Sequence, residues 1–110
     1  MTVAAIIVNK TISTVDTIEV LYSAPTAGLG TVITALTVSN NSGASASYKA
    51  YIYDSTGTAV NAIIPLTIVV KDRFSSAASA VNQVIPAGGT LRAENSTASA
   101  LNFYMSGIEQ

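Results

Sequence analysis

Alternation of apolar and polar side chains is the feature that most constrains this chain. It runs through nearly the whole sequence, and turn-forming residues interrupt it every ~8–12 residues. Residues 45–54 and 101–109 are the clearest cases, each with one apolar face and one polar face. Valine, isoleucine and threonine are abundant, and these β-branched residues favour strands over helices. The pattern therefore predicts an all-β protein.

We predict about eight strands in one domain spanning residues 1–110. Strands are expected at residues 17–22, 31–40, 45–54, 59–64, 66–70, 81–85, 90–95 and 101–109. An antiparallel two-sheet β-sandwich is the economical arrangement, and a jelly roll is one form of it. Residues 1–10 are interpreted as an N-terminal arm or an edge strand, since an apolar run left unpaired there would expose a hydrophobic edge.

Alternation also predicts which side chains share a face. In the strand at residues 31–40, Val32, Leu36 and Val38 are expected to point one way and a mostly Thr/Ser row the other. The Asp-Ser-Thr-Gly sequence at residues 54–57 and the Pro-Ala-Gly-Gly sequence at residues 86–89 are both predicted to close hairpins. Residues 71–80 are predicted to form the longest irregular loop.

The residue types that the sequence lacks exclude many kinds of catalytic and metal site. The chain has no histidine, cysteine or tryptophan, and only 10% of its residues are charged. It therefore offers no thiolate nucleophile and no imidazole base, and we expect a non-enzyme that holds no metal and no cofactor. A net charge of −1 gives no basic surface for nucleic acid. The longest apolar stretch, residues 59–70, is too short and too interrupted to span a membrane.

A pair of tyrosines on one strand is the first candidate binding feature. Tyr51 and Tyr53 alternate with Tyr48 and Ile52, so they occupy the opposite face of their strand, beside Lys49. A tyrosine-rich sheet face can stack on sugar rings, contact another protein, or pack inside the sandwich. The sequence leaves all three interpretations open.

The densest group of charges is the second candidate. Lys71, Asp72, Arg73 and Phe74 are consecutive, and arginine and aromatic residues are enriched at the energetic centres of interfaces. A solvated loop is the alternative interpretation.

Five pieces of the chain form a recognisable succession of strands and turns. They are residues 22–25 (Tyr-Ser-Ala-Pro), 32–41, 48–57, 86–93 (Pro-Ala-Gly-Gly-Thr-Leu-Arg-Ala) and 98–109. With these pieces the chain resembles small all-β proteins of tailed-bacteriophage particles. These include capsid decoration, cement or staple proteins and some tail components. The resemblance contains no catalytic or metal motif, so what it implies is a structural role in the virion.

The resemblance leads to an expected function and expected partners. We expect a capsid decoration protein, made in the host cytoplasm and carried in the virion, that binds the major capsid protein, copies of itself as a dimer or trimer, or both. A tail or fibre component is the first alternative. A carbohydrate-binding β-sandwich module is the alternative from another class, and it requires an exposed aromatic platform at Tyr51 and Tyr53.

If residues 71–74 form the centre of a partner contact, Arg73→Ala and Phe74→Ala will each weaken binding by about 2 kcal/mol or more. The reason is that arginine can pair with a partner carboxylate through two hydrogen bonds while phenylalanine supplies an apolar anchor. Binding of each variant to particles is to be measured beside its thermal unfolding. Attachment equal to that of the wild type would exclude this segment from the contact.

Overall fold

A computed structural model describes residues 4–70, 75–77 and 83–110 and confirms the all-β prediction. Nine strands lie within those ranges, and their bounds are as follows. They are β1 (Ala4–Thr11), β2 (Glu19–Ser23), β3 (Thr31–Asn40), β4 (Ala46–Tyr53), β5 (Ala59–Val70), β6 (Ser75–Ala77), β7 (Val84–Ile85), β8 (Thr90–Asn95) and β9 (Leu101–Glu109). None of the described residues belongs to a helix able to span a membrane.

The strands form two antiparallel sheets that pack as a sandwich. Sheet A has the order β1-β9-β3-β6, and β7 also pairs with β3. Sheet B has the order β2-β8-β4-β5. Because β6 and β7 share the position beside β3, the described strands fill eight positions. Strands pair successively outward from the β4–β5 hairpin, as β4–β5, β3–β6, β2–β8 and β1–β9. This is the strand order of a jelly roll.

The core lies between the inner faces of the two sheets. Its two aromatic side chains are Tyr48 of β4 and Phe103 of β9, whose rings meet edge to face with centroids 5.5 Å apart. Both side chains are almost fully buried, so this contact joins sheet B to sheet A at the centre of the sandwich. Leucine, isoleucine, valine and methionine side chains of both sheets fill the space around it.

The predicted alternation is correct in β4 and β9, neither of which contains the extra residue of a bulge on its ladder with β8 or β1. In β4 the residues Ala46, Tyr48, Ala50 and Ile52 are all buried, and the residues between them are half-buried. In β9 the three predicted apolar residues, Leu101, Phe103 and Met105, likewise face the core.

Two strands contain a β-bulge, and in β3 the bulge overturns a predicted facing. In β3 the register shifts between Ile33 and Ala35, so Ile33, Leu36 and Val38 face the core while Val32 faces outward. Placing Val32 on the face of Leu36 and Val38 was therefore wrong. In β2 a register shift between Val20 and Tyr22 places Leu21 in the core and leaves Val20 exposed. One extra residue in a ladder reverses the facing of the residues beyond it.

One of the two predicted hairpins is confirmed and the other is wrong. The turn at residues 54–57 joins β4 to β5, which pair antiparallel. Asp54 Oδ1 accepts hydrogen bonds from the backbone N–H groups of Thr56 and Thr58, and Gly57 has a φ of 82°. By contrast, the turn at residues 86–89 carries the chain from β7 in sheet A to β8 in sheet B. It is a tight turn, since Gly89 N–H bonds to Pro86 O, but it joins two sheets and closes no hairpin.

The remaining differences concern strand boundaries. Residues 59–64 and 66–70, predicted as two strands, form the single strand β5 with Pro65 inside it. Proline cannot donate to a ladder, and β5 tolerates it because it lies at the edge of sheet B. Within the loop predicted at residues 71–80, Ser75–Ala77 forms β6. Of the two placements considered for residues 1–10, β1 occupies that of an edge strand in sheet A.

We expect Phe103→Ala to lower the free energy of unfolding by about 3–5 kcal/mol, because it empties the volume at which the two sheets meet. The matched control is Tyr104→Ala at the next residue, whose side chain is 42% exposed on the other face of β9. Urea denaturation of both variants checks the expectation. Equal losses would show that the inner face of β9 is not the one that carries the core.

Candidate interaction surfaces

The outer face of sheet B carries a connected network of aromatic and charged side chains. Tyr51 and Tyr53 project from β4, and Arg92 and Glu94 project from the neighbouring strand β8. Tyr51 donates a hydrogen bond of 2.7 Å to Glu94 Oε1, and the Arg92 guanidinium lies 4.2 Å from the centroid of the Tyr53 ring. Arg92 Nε also donates to Thr90 Oγ1 at 2.9 Å. We call these four side chains (Tyr51, Tyr53, Arg92 and Glu94) the tyrosine network.

This placement excludes one of the three interpretations of the tyrosine pair. Tyr51 and Tyr53 are half-buried on the outer face, while Tyr48 and Ile52 occupy the core, so packing between the sheets is wrong. The two rings are inclined at 74° to each other, with centroids 6.4 Å apart, and Arg92 covers one face of Tyr53. Rings in this arrangement do not form the flat platform on which a sugar stacks. The geometry favours a rigid, polar outer surface.

The second candidate predicted from the sequence is the segment of residues 71–74. Lys71, Asp72, Arg73 and Phe74 fall outside the described residues, and their role in binding stays a prediction.

Sheet A presents a very different outer face. Ala5, Ile108, Val32 and Val84 lie side by side in register on β1, β9, β3 and β7, so one row across the whole sheet is apolar. Ile7 stands beside this row on β1 and is 68% exposed, and Val84 at the far end is 50% exposed. An in-register row of apolar side chains on a solvent-facing sheet surface is typical of a contact with another molecule.

The rest of this face is uncharged and mostly polar. Its members on β1, β9 and β3 are Asn9, Thr11, Asn102, Tyr104, Ser106, Thr34, Ala35, Thr37 and Ser39. Of the charged residues that the structure describes, none has its side chain here. Lys10, the single charged residue of β1, reaches instead to Val20 O at 2.8 Å and to Glu19 at 3.6 Å, both on β2 of sheet B. We call this surface, from β1 across β9 and β3 to β7, the uncharged face.

A small cleft adjoins the tyrosine network and shares Glu94 with it. Its volume is about 290 Å³, and its lining is polar with charges of both signs. The lining residues are Asp16, Ser47, Tyr48, Lys49, Glu94, Asn95 and Ser96. Among the described residues no group of three or more Asp and Glu side chains is arranged to hold a metal ion.

Sequence reasoning did not identify the uncharged face. The sequence shows that Asn102, Tyr104 and Ser106 share one face of a strand, and that Ile7 is an apolar residue of the first strand. The sequence does not show that β9 lies between β1 and β3, or that the bulge in β3 turns Val32 outward. Both depend on pairings between distant parts of the chain.

Two tyrosine hydroxyls of sheet B are held by carboxylates, one from each sheet. Partial burial and, second to it, the hydrogen bond to Glu94 together raise the pKa of Tyr51 to about 12. Burial likewise raises the pKa of Tyr22 to about 12, with a contribution from its hydrogen bond to Glu109. The folded protein therefore favours the neutral phenol at both positions.

These pKa shifts predict a loss of stability in alkali. A tyrosine pKa that is raised on folding stabilises the folded protein. This contribution is complete at pH values below 10.0, the ordinary tyrosine pKa, and it is lost as the pH rises through about 12. We expect the free energy of unfolding to fall over that range, and the fall to be smaller in Tyr51→Phe. In a phenolate absorbance titration, Glu94→Gln should lower the pKa of one tyrosine toward 10. An unchanged titration curve for Glu94→Gln would contradict the assigned cause.

Comparison with known proteins adds no family assignment. No protein-family model matches the chain, and no curated protein matches it. What the chain does has to be inferred from its own surfaces.

Proposed function

We propose that this chain is a non-enzymatic structural protein of a tailed-bacteriophage virion, and that it is a capsid decoration protein of the cement or staple kind. In this role it binds the lattice of major capsid protein and stabilises it by bridging neighbouring subunits. The observation that carries the proposal is the uncharged face of sheet A, with its apolar row of Ala5, Ile108, Val32 and Val84.

The chemistry of that face indicates the kind of partner. Removing water from an uncharged surface costs less free energy than removing it from a charged one. The Ser, Thr and Asn side chains of this surface can still hydrogen-bond to a partner. A charged partner surface would lose its hydration there without gaining an ion pair. The partner surface is therefore expected to be apolar and uncharged at its centre, as the centres of lasting protein assemblies are.

The fold and the resemblance support the same proposal independently of that face. The jelly roll is an architecture shared by viral capsid domains, lectins and cupins, so by itself it leaves several functions open. The resemblance of residues 22–25, 32–41, 48–57, 86–93 and 98–109 to small virion proteins favours the first of these. The inclined and partly covered rings of Tyr51 and Tyr53 make a lectin-like role the weaker alternative.

The proposal is tested by attachment to particles that lack this chain. We expect Val84→Lys to weaken attachment at least about tenfold, since it places a charge in the apolar row at the interface. The matched control is Val15→Lys, at a valine that is 48% exposed in the β1–β2 connection, outside the strands of the uncharged face. Its attachment should equal that of the wild type.

Imaging of particles carrying a labelled copy separates the alternatives within the virion. Label over the shell supports a decoration protein, and label confined to the tail overturns that role in favour of a tail or fibre component. Absence of the chain from purified particles, together with no binding of the wild type, would overturn the virion role altogether.

A further inference from the structure

The sandwich has four sheet edges, and an edge strand is a place where a further strand can pair. Sheet A ends at β1 on one side and at β6 and β7 on the other, while sheet B ends at β2 and β5. Proteins normally protect such edges by short length, bulges, proline or charged side chains, because an unprotected edge pairs with other chains.

Three of the four edges carry one of these protections. β2 has five residues and a register shift between Val20 and Tyr22. β5 contains Pro65 and pairs with β4 through several register shifts. β6 and β7 have three and two residues.

The edge at β1 carries none of them. β1 pairs with β9 over eight residues without a register shift, and its sequence contains no proline. Its single charged side chain, Lys10, is held by Val20 O and Glu19 of the other sheet and so does not guard the edge. Within the described ranges β9 is the one strand that pairs with β1. In an antiparallel ladder alternate residues direct their N–H and C=O groups away from the partner, so β1 presents such groups on its open side.

We infer that a second copy of this chain pairs with β1 along this open edge. The two β1 strands run antiparallel about a two-fold axis at Ile7, so that sheet A continues from one copy into the other. This inference does not rest on the proposed virion role.

Several observations favour a second copy as the occupant. Each copy supplies the same unprotected strand, and a two-fold contact between identical edges closes on itself and leaves no edge to propagate. The register centred on Ile7 pairs residue 5 with residue 9 and residue 6 with residue 8. It also sets Lys10 opposite Ala4, so the two lysines do not meet. Ile7, the most exposed large apolar side chain among the described residues, then contacts its own symmetry mate. A net charge of −1 opposes the association very little.

Cysteine scanning tests the contact directly, because the natural chain has no cysteine. Directly opposed side chains on neighbouring strands are close enough for a disulfide with minor adjustment. We expect Ile7→Cys to form a covalent dimer on mild oxidation. Val84→Cys, at the opposite edge of the same apolar row, should remain monomeric under denaturing conditions.

The register has its own test. Ala5→Cys and Asn9→Cys should each fail to cross-link alone and should form a mixed disulfide when the two proteins are combined. Cross-linking of each variant with itself, without the mixed product, would overturn the two-fold axis at Ile7.

The mass in solution completes the test. Sedimentation at about 100 μM should give twice the chain mass of 11.2 kDa for the wild type and the chain mass alone for Ile7→Lys. Val84→Lys, which is expected to lose particle attachment, should remain dimeric. A monomeric wild type that also gives no Ile7→Cys dimer would overturn the inference. The virion proposal would stand in that case, since it is tested by attachment.

Discussion

Strand β9 hydrogen-bonds to β1 on one side and to β3 on the other, and the sandwich is organised around this double pairing. β9 supplies Phe103 to the contact with Tyr48 that joins the two sheets, and it gives β1 its partner. Its two neighbours come from the first half of the chain. Bringing such distant segments together costs loop-closure entropy before the contacts form, so this topology depends on the C-terminal strand being present and correctly paired.

Through the pairing of β9 with β3, the bulge in β3 also affects the outer face of sheet A. One extra residue between Ile33 and Ala35 keeps Ile33 and Leu36 in the core on both sides of the irregularity, and it turns Val32 outward. Because β9 is in register with β3 there, Val32 comes to lie beside Ile108, and the apolar row across sheet A results. A packing detail of a central strand thereby determines the chemistry of the outer surface. The charged residues that the structure describes lie on sheet B or in loops, except Lys10 and Glu109 of sheet A, whose side chains reach Glu19 and Tyr22 of sheet B.

The sequence predicted most of the strands, since alternation is a local property. It was correct in β4 and β9, whose inner residues follow a strict period of two, and incorrect for Val32 because no residue type marks a bulge. The turn at residues 86–89 has the composition of a hairpin, yet whether the flanking strands pair depends on their competing partners, β3 and β4. For the candidate site, the sequence placed Tyr51 and Tyr53 on one face correctly. It did not reveal the uncharged face, which is assembled from four strands.

The area of that face connects the two proposals. With about 4.8 Å between strands and about 3.3 Å per residue, four strand positions of eight residues present roughly 500 Å² in projection. A stable protein interface buries about 800 Å² of accessible surface on each partner, and a larger flat area allows a larger contact. Antiparallel pairing at β1 keeps the same side of both sheets facing one way, because its two-fold axis is perpendicular to the sheet. The dimer would thus present roughly 1,000 Å² of continuous uncharged surface, with Ile7 at its centre. A face-to-face dimer would instead cover this surface. Pairing at the β1 edge is therefore the mode of self-association that leaves the uncharged face available for binding to a capsid.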